Sequence, residues 1–262
     1  DKDIAKRIAA ADGIPTALSL KITRDTEPET ILREAVRRGV DVWKYADVLG
    51  ALMNDRIGIS VAGCHGKTTT ASLLASALVK TGRDPSFLIG GELREFGSGA
   101  RSGSGPFFVA EACEYDRSFH RHRPRLAVVT NVEFDHPDSF PSARFVRMAF
   151  GNFVDNIHAD GTLIACNDDK LAHAIAASYH ANGGNLMLYG QNEGIGLTWR
   201  AIDIRANEQG GVSFTARLGA EVMGDIHLRV PGNYNAVNAL AVLSVAEVLG
   251  IKWAVARAAL ER

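Results

Sequence analysis

The sequence holds only three cysteines in 262 residues, Cys64, Cys113 and Cys166. Three cannot pair into a disulfide framework, and their separations match no metal-ligand spacing. Long apolar runs are also missing. No uninterrupted stretch reaches the roughly 20 residues that cross a bilayer, and the charged start "DKDIAKR" is not a signal peptide. Excess charge of one sign is absent too: 29 Lys and Arg stand against 30 Asp and Glu, a formal net charge of −1. That balance gives no general pull toward nucleic acid or an anionic membrane, so neither nucleic-acid binding nor membrane insertion is expected. There is no internal repeat and no low-complexity tract. What remains is 46% hydrophobic and 23% charged, an ordinary composition for a globular chain with ample core, expected in a reducing cytoplasm.

The first fifty residues read as the remnant of a preceding unit. "DTEPETILREAVRRGV" has Pro and acids early and Arg late, the polarity a helix dipole favours. An extended piece is expected at "VDVWKY" and a helix at "ADVLGALMN". That is one α/β unit without a glycine-rich opening turn, too small for a whole Rossmann domain. From Arg56 onward the pattern becomes a sustained strand–helix alternation. Strand candidates are "IGISVA", "SFLIGG", "PFFVAEA", "LAVVTN", "TLIAC" and "NLMLYG", with helices expected at Lys67–Lys80, Ser142–Ile157 and Asp169–His180. Short apolar strands separated by amphipathic helices predict a mainly parallel sheet covered on both faces. Farther on, "LTWRAIDIRA", "GVSFTARL" and "MGDIHLRV" alternate between glycine-bearing turns and predict a small antiparallel sheet. "NYNAVNALAVLSVAEVLG" and "KWAVARAALER" return to helix.

The chemistry-bearing segments lie where those strands end. "VAGCHGKTTTAS" carries Gly63, Cys64, His65, Gly66, Lys67, Thr68 and Thr69 between an apolar strand and a helix. Glycines let backbone N–H groups turn toward an anion, and the helix N-terminus adds its positive end. Lys67 offers a charge for the β- and γ-phosphates and Thr68 a hydroxyl for Mg²⁺. A strict G-x-x-x-x-G-K-[ST] loop has glycine where this chain has Val61. Next, "FFVAEACEYDRSF" delivers Glu111 at a strand's carboxyl end, where open α/β sheets place ligands. A carboxylate there suits a hard cation. Glu114 and Asp116 read as part of the following turn or the start of a short helix. "AVVTNVEFDHPDSF" ends a third strand in Thr130 and Asn131, followed by Asp135, His136 and Asp138. "VPGNYNAVNALAV" supplies Asn235 and Asn238 at a helix start, which asparagine also caps well. The basic run "HRHRPR" reads as a solvated turn, and Cys113 and Cys166 as packing residues.

Taken together these segments resemble the Mur ligases. "GCHGKTTTASLLASAL" is similar to that family's ATP loop, in which G-T-x-G-K-T-[ST] replaces the strict pattern; Cys64 stands where threonine is usual. "N-x-x-x-D-H-x-D" is matched by Asn131, Asp135, His136 and Asp138, and approximately "P-G-x-H-N-x-x-N-A" by the segment with Asn235 and Asn238, Tyr234 replacing His. The resemblance implies ATP and Mg²⁺ as cofactors, Lys67, Glu111 and His136 as catalytic, and Thr68, Glu111 and His136 as metal-holding. It also implies the loop residues Gly63–Thr69 with Asn235 and Asn238 around the nucleotide, and Thr130 and Asn131 near substrate.

Within the family, "EACEYDRSF", "TNVEFDHPDSF" and "LIACNDD" look most like the branch that joins L-alanine to UDP-N-acetylmuramate. Sibling branches carry a modified lysine on the helix after the D-H motif, and Ser142–Ile157 contains no lysine. A branch that joins a tripeptide to the same sugar nucleotide shares the "EYD" and "EFDH" wording. By the same resemblance residues 1–53 are the remnant of an N-terminal UDP-sugar-binding domain and 54–262 the central ATP-binding domain. The C-terminal domain is expected to lie outside this chain, which alone is expected to bind Mg-ATP without coupling. An ordinary P-loop kinase, another NTPase or a non-catalytic nucleotide-binding module remains the alternative.

Overall fold

The computed structural model describes residues 33, 35–39, 41–134 and 140–261. Among the described residues its frame is one ten-stranded sheet. The strands are β1 (Ile57–Ala62), β2 (Ser86–Leu93), β3 (Ser98–Arg101), β4 (Phe107–Ala112), β5 (Leu126–Val129), β6 (Thr162–Cys166), β7 (Asn185–Gly190), β8 (Leu197–Ala206), β9 (Val212–Leu218) and β10 (Glu221–His227). The helices are α1 (Tyr45–Asn54), α2 (Lys67–Lys80), α3 (Ala143–Val154), α4 (Lys170–Ala181), α5 (Tyr234–Val248) and α6 (Trp253–Leu260), with a 3-10 helix at Tyr115–Arg121.

The strand order is β10-β9-β8-β7-β6-β5-β1-β4-β2-β3. From β8 to β2 every neighbouring pair is parallel, whereas β9, β10 and β3 add on antiparallel. The expected antiparallel strands are thus all present but extend the main sheet, because β8 pairs in parallel with β7 and antiparallel with β9. The parallel strands alternate their side chains between two apolar clusters. On β5, Leu126 and Val128 face the cluster built with α2, α5 and α6, while Ala127 and Val129 face the one built with α3 and α4. Covering both faces in this way lets near-continuous apolar strands persist.

α1 forms a third, smaller cluster on the sheet, with Leu49, Leu52 and Met53 against Leu88, Phe108 and Ala110. Gly58 is needed beneath it, since a Cβ there would lie 2.1 Å from Met53 Cγ. The stretch expected to be extended begins this helix at Tyr45, and residues 41–44 are not strand. Asp47 explains the difference: its carboxylate accepts the Lys44 N–H at 3.3 Å and starts the helix despite the β-preferring residues around it. Most of the residues preceding α1 lie outside the described set.

β1 is the point at which the sheet changes direction. The chain leaving β1 passes through α2 to β2 on the β4 side, whereas the chain leaving β4 crosses to β5 on the other side. Such a switch opens a crevice beyond the strands' carboxyl ends. In register, Ala62 faces Ala112 of β4 and Val129 of β5, so all three strands release their next residues at the same edge.

The turn after β4 is anchored by Phe119, which is fully buried, stacks on Phe153 at 5.0 Å and meets Phe150 edge-on at 5.2 Å. Each such pair adds about 0.5–1.5 kcal/mol beyond area burial. The basic run that follows alternates inward and outward. Arg121 pairs with Asp47, Arg125 pairs with Asp160, and His122 is buried with Nδ1 2.9 Å from Ser60 Oγ. Of the two cysteines expected to pack, Cys166 is buried, whereas Cys113 is exposed just past the end of β4.

Burial lowers the His122 pKa from the ordinary 6.5 to about 4. The unfolded chain therefore takes up this proton first as pH falls, so the contribution is complete above pH 6.5 and lost on acidification toward pH 4. Denaturant unfolding of wild type and His122→Gln across that window should show an extra loss in wild type of up to about 3 kcal/mol. Parallel pH profiles would contradict a neutral buried imidazole.

Candidate functional site

The loop after β1 turns on two glycines in left-handed backbone conformations, Gly63 at φ +143° and Gly66 at φ +79°. Gly63 has a second reason to be glycine: a Cβ there would lie 2.0 Å from Thr130 Oγ1. Gly66 occupies the N-cap of α2, which has no side-chain cap. The first N–H groups of a helix have no acceptor within it, so α2 presents them with its positive end at the loop. α4 contrasts with it, since Asp169 supplies a carboxylate to the Ala172 N–H there.

The loop is held from behind by the residues after β5. Asn131 grips the His65 backbone with both ends of its amide, accepting from His65 N at 2.8 Å and donating to His65 O at 3.0 Å. Thr130 Oγ1 donates to the same carbonyl at 2.7 Å. Cys64 N donates to Asn131 O at 3.1 Å, and the Cys64 thiol accepts the Glu133 N–H at 3.1 Å. Asp169 reaches back to the same segment, accepting the Val132 N–H at 3.2 Å. In this structure Thr130 and Asn131, expected near substrate, direct these polar atoms at the loop.

The end of β4 engages the other side. Glu111 Oε2 accepts from Thr68 Oγ1 at 3.1 Å, and Oε1 accepts the Gly90 N–H of β2 at 2.7 Å. β2 passes this close because it carries glycines: a Cβ at Gly91 would lie 2.9 Å from Thr68 Cγ2. Lys67 Nζ donates to the Gly63 carbonyl and to both oxygens of Glu114, at 3.1 and 3.0 Å. Glu114 is only 2% exposed. Adjacent loop residues, Lys67 and Thr68, are therefore each held by a carboxylate from one strand end.

Asn235 and Asn238 sit behind the loop and are buried. Asn235 Nδ2 donates to Pro231 O at 2.7 Å and Asn238 Nδ2 to Asn235 Oδ1 at 2.9 Å. Asn238 Oδ1 faces Gly66, where it would lie 3.0 Å from an added Cβ. The structure thus brings Gly63–Thr69, Glu111, Thr130, Asn131 and Asn238 to one sheet edge. Asp135, His136 and Asp138 lie outside the described residues.

Glu114 escaped the sequence reading, which placed it in the turn or at the start of a short helix; it stands at the N-cap of the 3-10 helix. An available signal was its spacing, three residues beyond Glu111, at an edge that already offered a lysine. The Thr68 hydroxyl and Glu111 carboxylate form an oxygen-only donor pair that fits a hard divalent cation. Among the described residues no group of three or more His, Cys, Asp or Glu is placed to hold a metal. The remaining positions would then fall to water and phosphate oxygen, as is usual for Mg²⁺.

Residues 61–246 match the family model described as the Mur ligase middle domain, a span containing the loop, Glu111, Glu114 and both asparagines. The chain belongs to the Mur ligase family. It is 40% identical over 240 residues to UDP-N-acetylmuramate–L-alanine ligase of Acidothermus cellulolyticus, covering 92% of this chain and 49% of that protein. The like-named protein of Salinispora arenicola is 34% identical over 257 residues, 98% of this chain and 49% of that one. This Mur ligase chain therefore spans about half the length of the curated relatives it matches.

Among solved structures it resembles UDP-N-acetylmuramate:L-alanyl-gamma-D-glutamyl-meso-diaminopimelate ligase from Neisseria meningitides. The TM-score is 0.76 at 29% identity, over 93% of this chain and 76% of that one. It also resembles UDP-N-acetylmuramate-alanine ligase MurC from Thermotoga maritima, with TM-score 0.75 at 25% identity, over 92% and 53%.

The grip of Asn131 on His65 makes a prediction of its own. Asn131→Ala removes two hydrogen bonds from the loop and should cost about 1–2 kcal/mol in urea unfolding. An unchanged unfolding midpoint and slope would show that the loop holds its shape without this contact.

Proposed function

We propose that this chain is the nucleotide-binding part of an ATP-dependent ligase that joins L-alanine to UDP-N-acetylmuramate. Within it, residues 54–262 act as the ATP domain and 1–53 belong to a preceding UDP-sugar-binding unit. The observation that carries the reading is the pairing at one sheet edge of Lys67 with Glu114 and of Thr68 with Glu111, around an uncapped helix N-terminus. The family supports ATP, and the names of the sequence relatives favour alanine as the incoming amine.

In this reading the triphosphate lies over the loop, its anionic oxygens received by the first N–H groups of α2 and by Lys67. Thr68 and Glu111 would hold Mg²⁺, with His136 contributing by the family resemblance; the ion supplies neutralisation of phosphate charge. The sugar nucleotide's carboxylate oxygen attacks the γ-phosphorus, the bond to the β–γ bridging oxygen breaks, and ADP leaves. The amine nitrogen then attacks the acyl carbon, the carbon–oxygen bond to phosphate breaks, and inorganic phosphate departs as nitrogen loses its proton. An anion attacks an anion in the first step, so fixed positive charge at Lys67 lowers the barrier most directly. Thr130 and Asn131 support that charge by fixing the loop, and contacts from these two and from Asn235 and Asn238 to substrate or adenine belong to the same proposal. No helix among the described residues is long and apolar enough to cross a membrane.

A second reading, coupling of a tripeptide to the same sugar nucleotide, is favoured by the likeness to the Neisseria protein. Phosphate release by the complete protein, supplied with UDP-N-acetylmuramate and either L-alanine or the tripeptide, separates the two. Release with L-alanine is expected, and release with the tripeptide alone would favour the second reading. Lys67→Ala should lower the rate by at least about 10²-fold, and near-native turnover would remove Lys67 from the mechanism.

A further inference from the structure

Asp169 is distant from the loop after β1 in sequence, yet one of its oxygens reaches the segment behind that loop. Oδ1 accepts two N–H groups, that of Ala172 at 2.7 Å and that of Val132 at 3.2 Å. The first contact caps α4, whose Ala172, Ile175 and Ala176 are buried in the cluster shared with β5 and β6. The carboxylate is thereby fixed from its own side. β6 runs parallel beside β5 with Ala165 level with Val129, which brings the chain after β6 alongside the residues that grip the loop. There the Val132 N–H and the Asn131 C=O belong to one planar trans peptide and point in opposite directions. On the far side of that plane the Asn131 carbonyl accepts the Cys64 N–H at 3.1 Å. One peptide thus stands between the α4 cap and the loop. Its neighbours serve the loop too: the Asn131 amide holds His65 through both ends, and the Glu133 N–H donates to the Cys64 thiol.

We propose that Asp169 is a positioning residue for nucleotide binding, acting through the Asn131–Val132 peptide to hold the Cys64–His65 turn. Val132 is 1% exposed, so solvent offers its N–H little in place of the carboxylate. Without Asp169 the peptide gains by rotating toward another acceptor, and rotation swings the Asn131 carbonyl away from Cys64. A carboxylate on the N–H side also polarises the peptide, which strengthens the carbonyl as an acceptor on the other side. The N–H groups of Cys64 and His65 are both turned back toward residue 131. That sets the direction in which the chain enters Gly66 and α2, and with it where the helix's first N–H groups aim. Asp169 acts at one remove, with the peptide as its intermediary.

The inference rests on the nucleotide-site reading, and its test separates the two. Mg-ATP binding to the complete protein is measured by calorimetry for wild type, Asp169→Ser, Asp169→Gly and Asp169→Asn, each well below its own melting transition. Serine caps helices about as well as aspartate and glycine weakens a cap only slightly, so both keep α4 while withdrawing the acceptor from Val132. Each should raise the Mg-ATP dissociation constant about tenfold, and either decides the matter if the other does not fold. Asparagine keeps an oxygen in the same place and should return the constant to within about threefold of wild type. Amide hydrogen exchange read by mass spectrometry is the second measure. In the Ser variant exchange should quicken across residues 61–67 while α4 exchanges as in wild type. Wild-type affinity in the folded Ser or Gly variant overturns the positioning role, as does faster exchange confined to α4. Failure of wild type to bind Mg-ATP overturns the nucleotide reading and the positioning role with it.

Discussion

A loop proposed to receive phosphate has to be rigid while its concave side stays empty, so everything that shapes it must act from behind or from the flanks. Here that constraint is met by the amide of Asn131, which closes a two-bond ring with the His65 backbone, and by Thr130, which bonds the same carbonyl. Gly63 is part of the same device, because any side chain there would displace the Thr130 hydroxyl. The α2 N-terminus is then left to offer its N–H groups outward, with neither a capping side chain nor a Cβ at Gly66 to fill the space. Rear tethering costs the mouth nothing.

The electrostatics follow from where β1 lies in the sheet. Because β4 and β5 flank it in parallel register, the three strands end level and their next residues converge. β5 supplies the neutral groups that hold the loop, and β4 supplies the charged groups that face it. Glu111 and Glu114, three apart on one strand end, reach Thr68 and Lys67 respectively. The division matches what each flank must do: the loop backbone takes amide and hydroxyl partners, whereas the Lys67 ammonium and the Thr68 hydroxyl donate to carboxylates.

What the sequence made legible were the features written locally. The helix at Lys67–Lys80 coincides with α2, and the helices expected at Ser142–Ile157 and Asp169–His180 shift by only a few residues, since strand–loop–helix punctuation is carried by neighbouring residues. The loop and Glu111 were readable because each follows an apolar strand directly. Contacts across the chain were not readable. Asn131 meets His65 across 66 positions, and Glu114 meets Lys67 across 47. Such pairings depend on strand order, which no local pattern reveals. β3 was missed for another reason: "SGAR" has no β-preferring residue, and it forms only because it lies against β2. Tyr45 shows the reverse, a β-preferring residue drawn into helix α1 by the cap at Asp47.

The Lys67–Glu114 pair is better understood as an exchangeable contact than as a source of stability. Removing two charges from water costs about as much as their attraction returns, so a nearly buried pair contributes little net to folding. Breaking it one-sidedly is another matter, because the Glu114 carboxylate is nearly shut off from solvent.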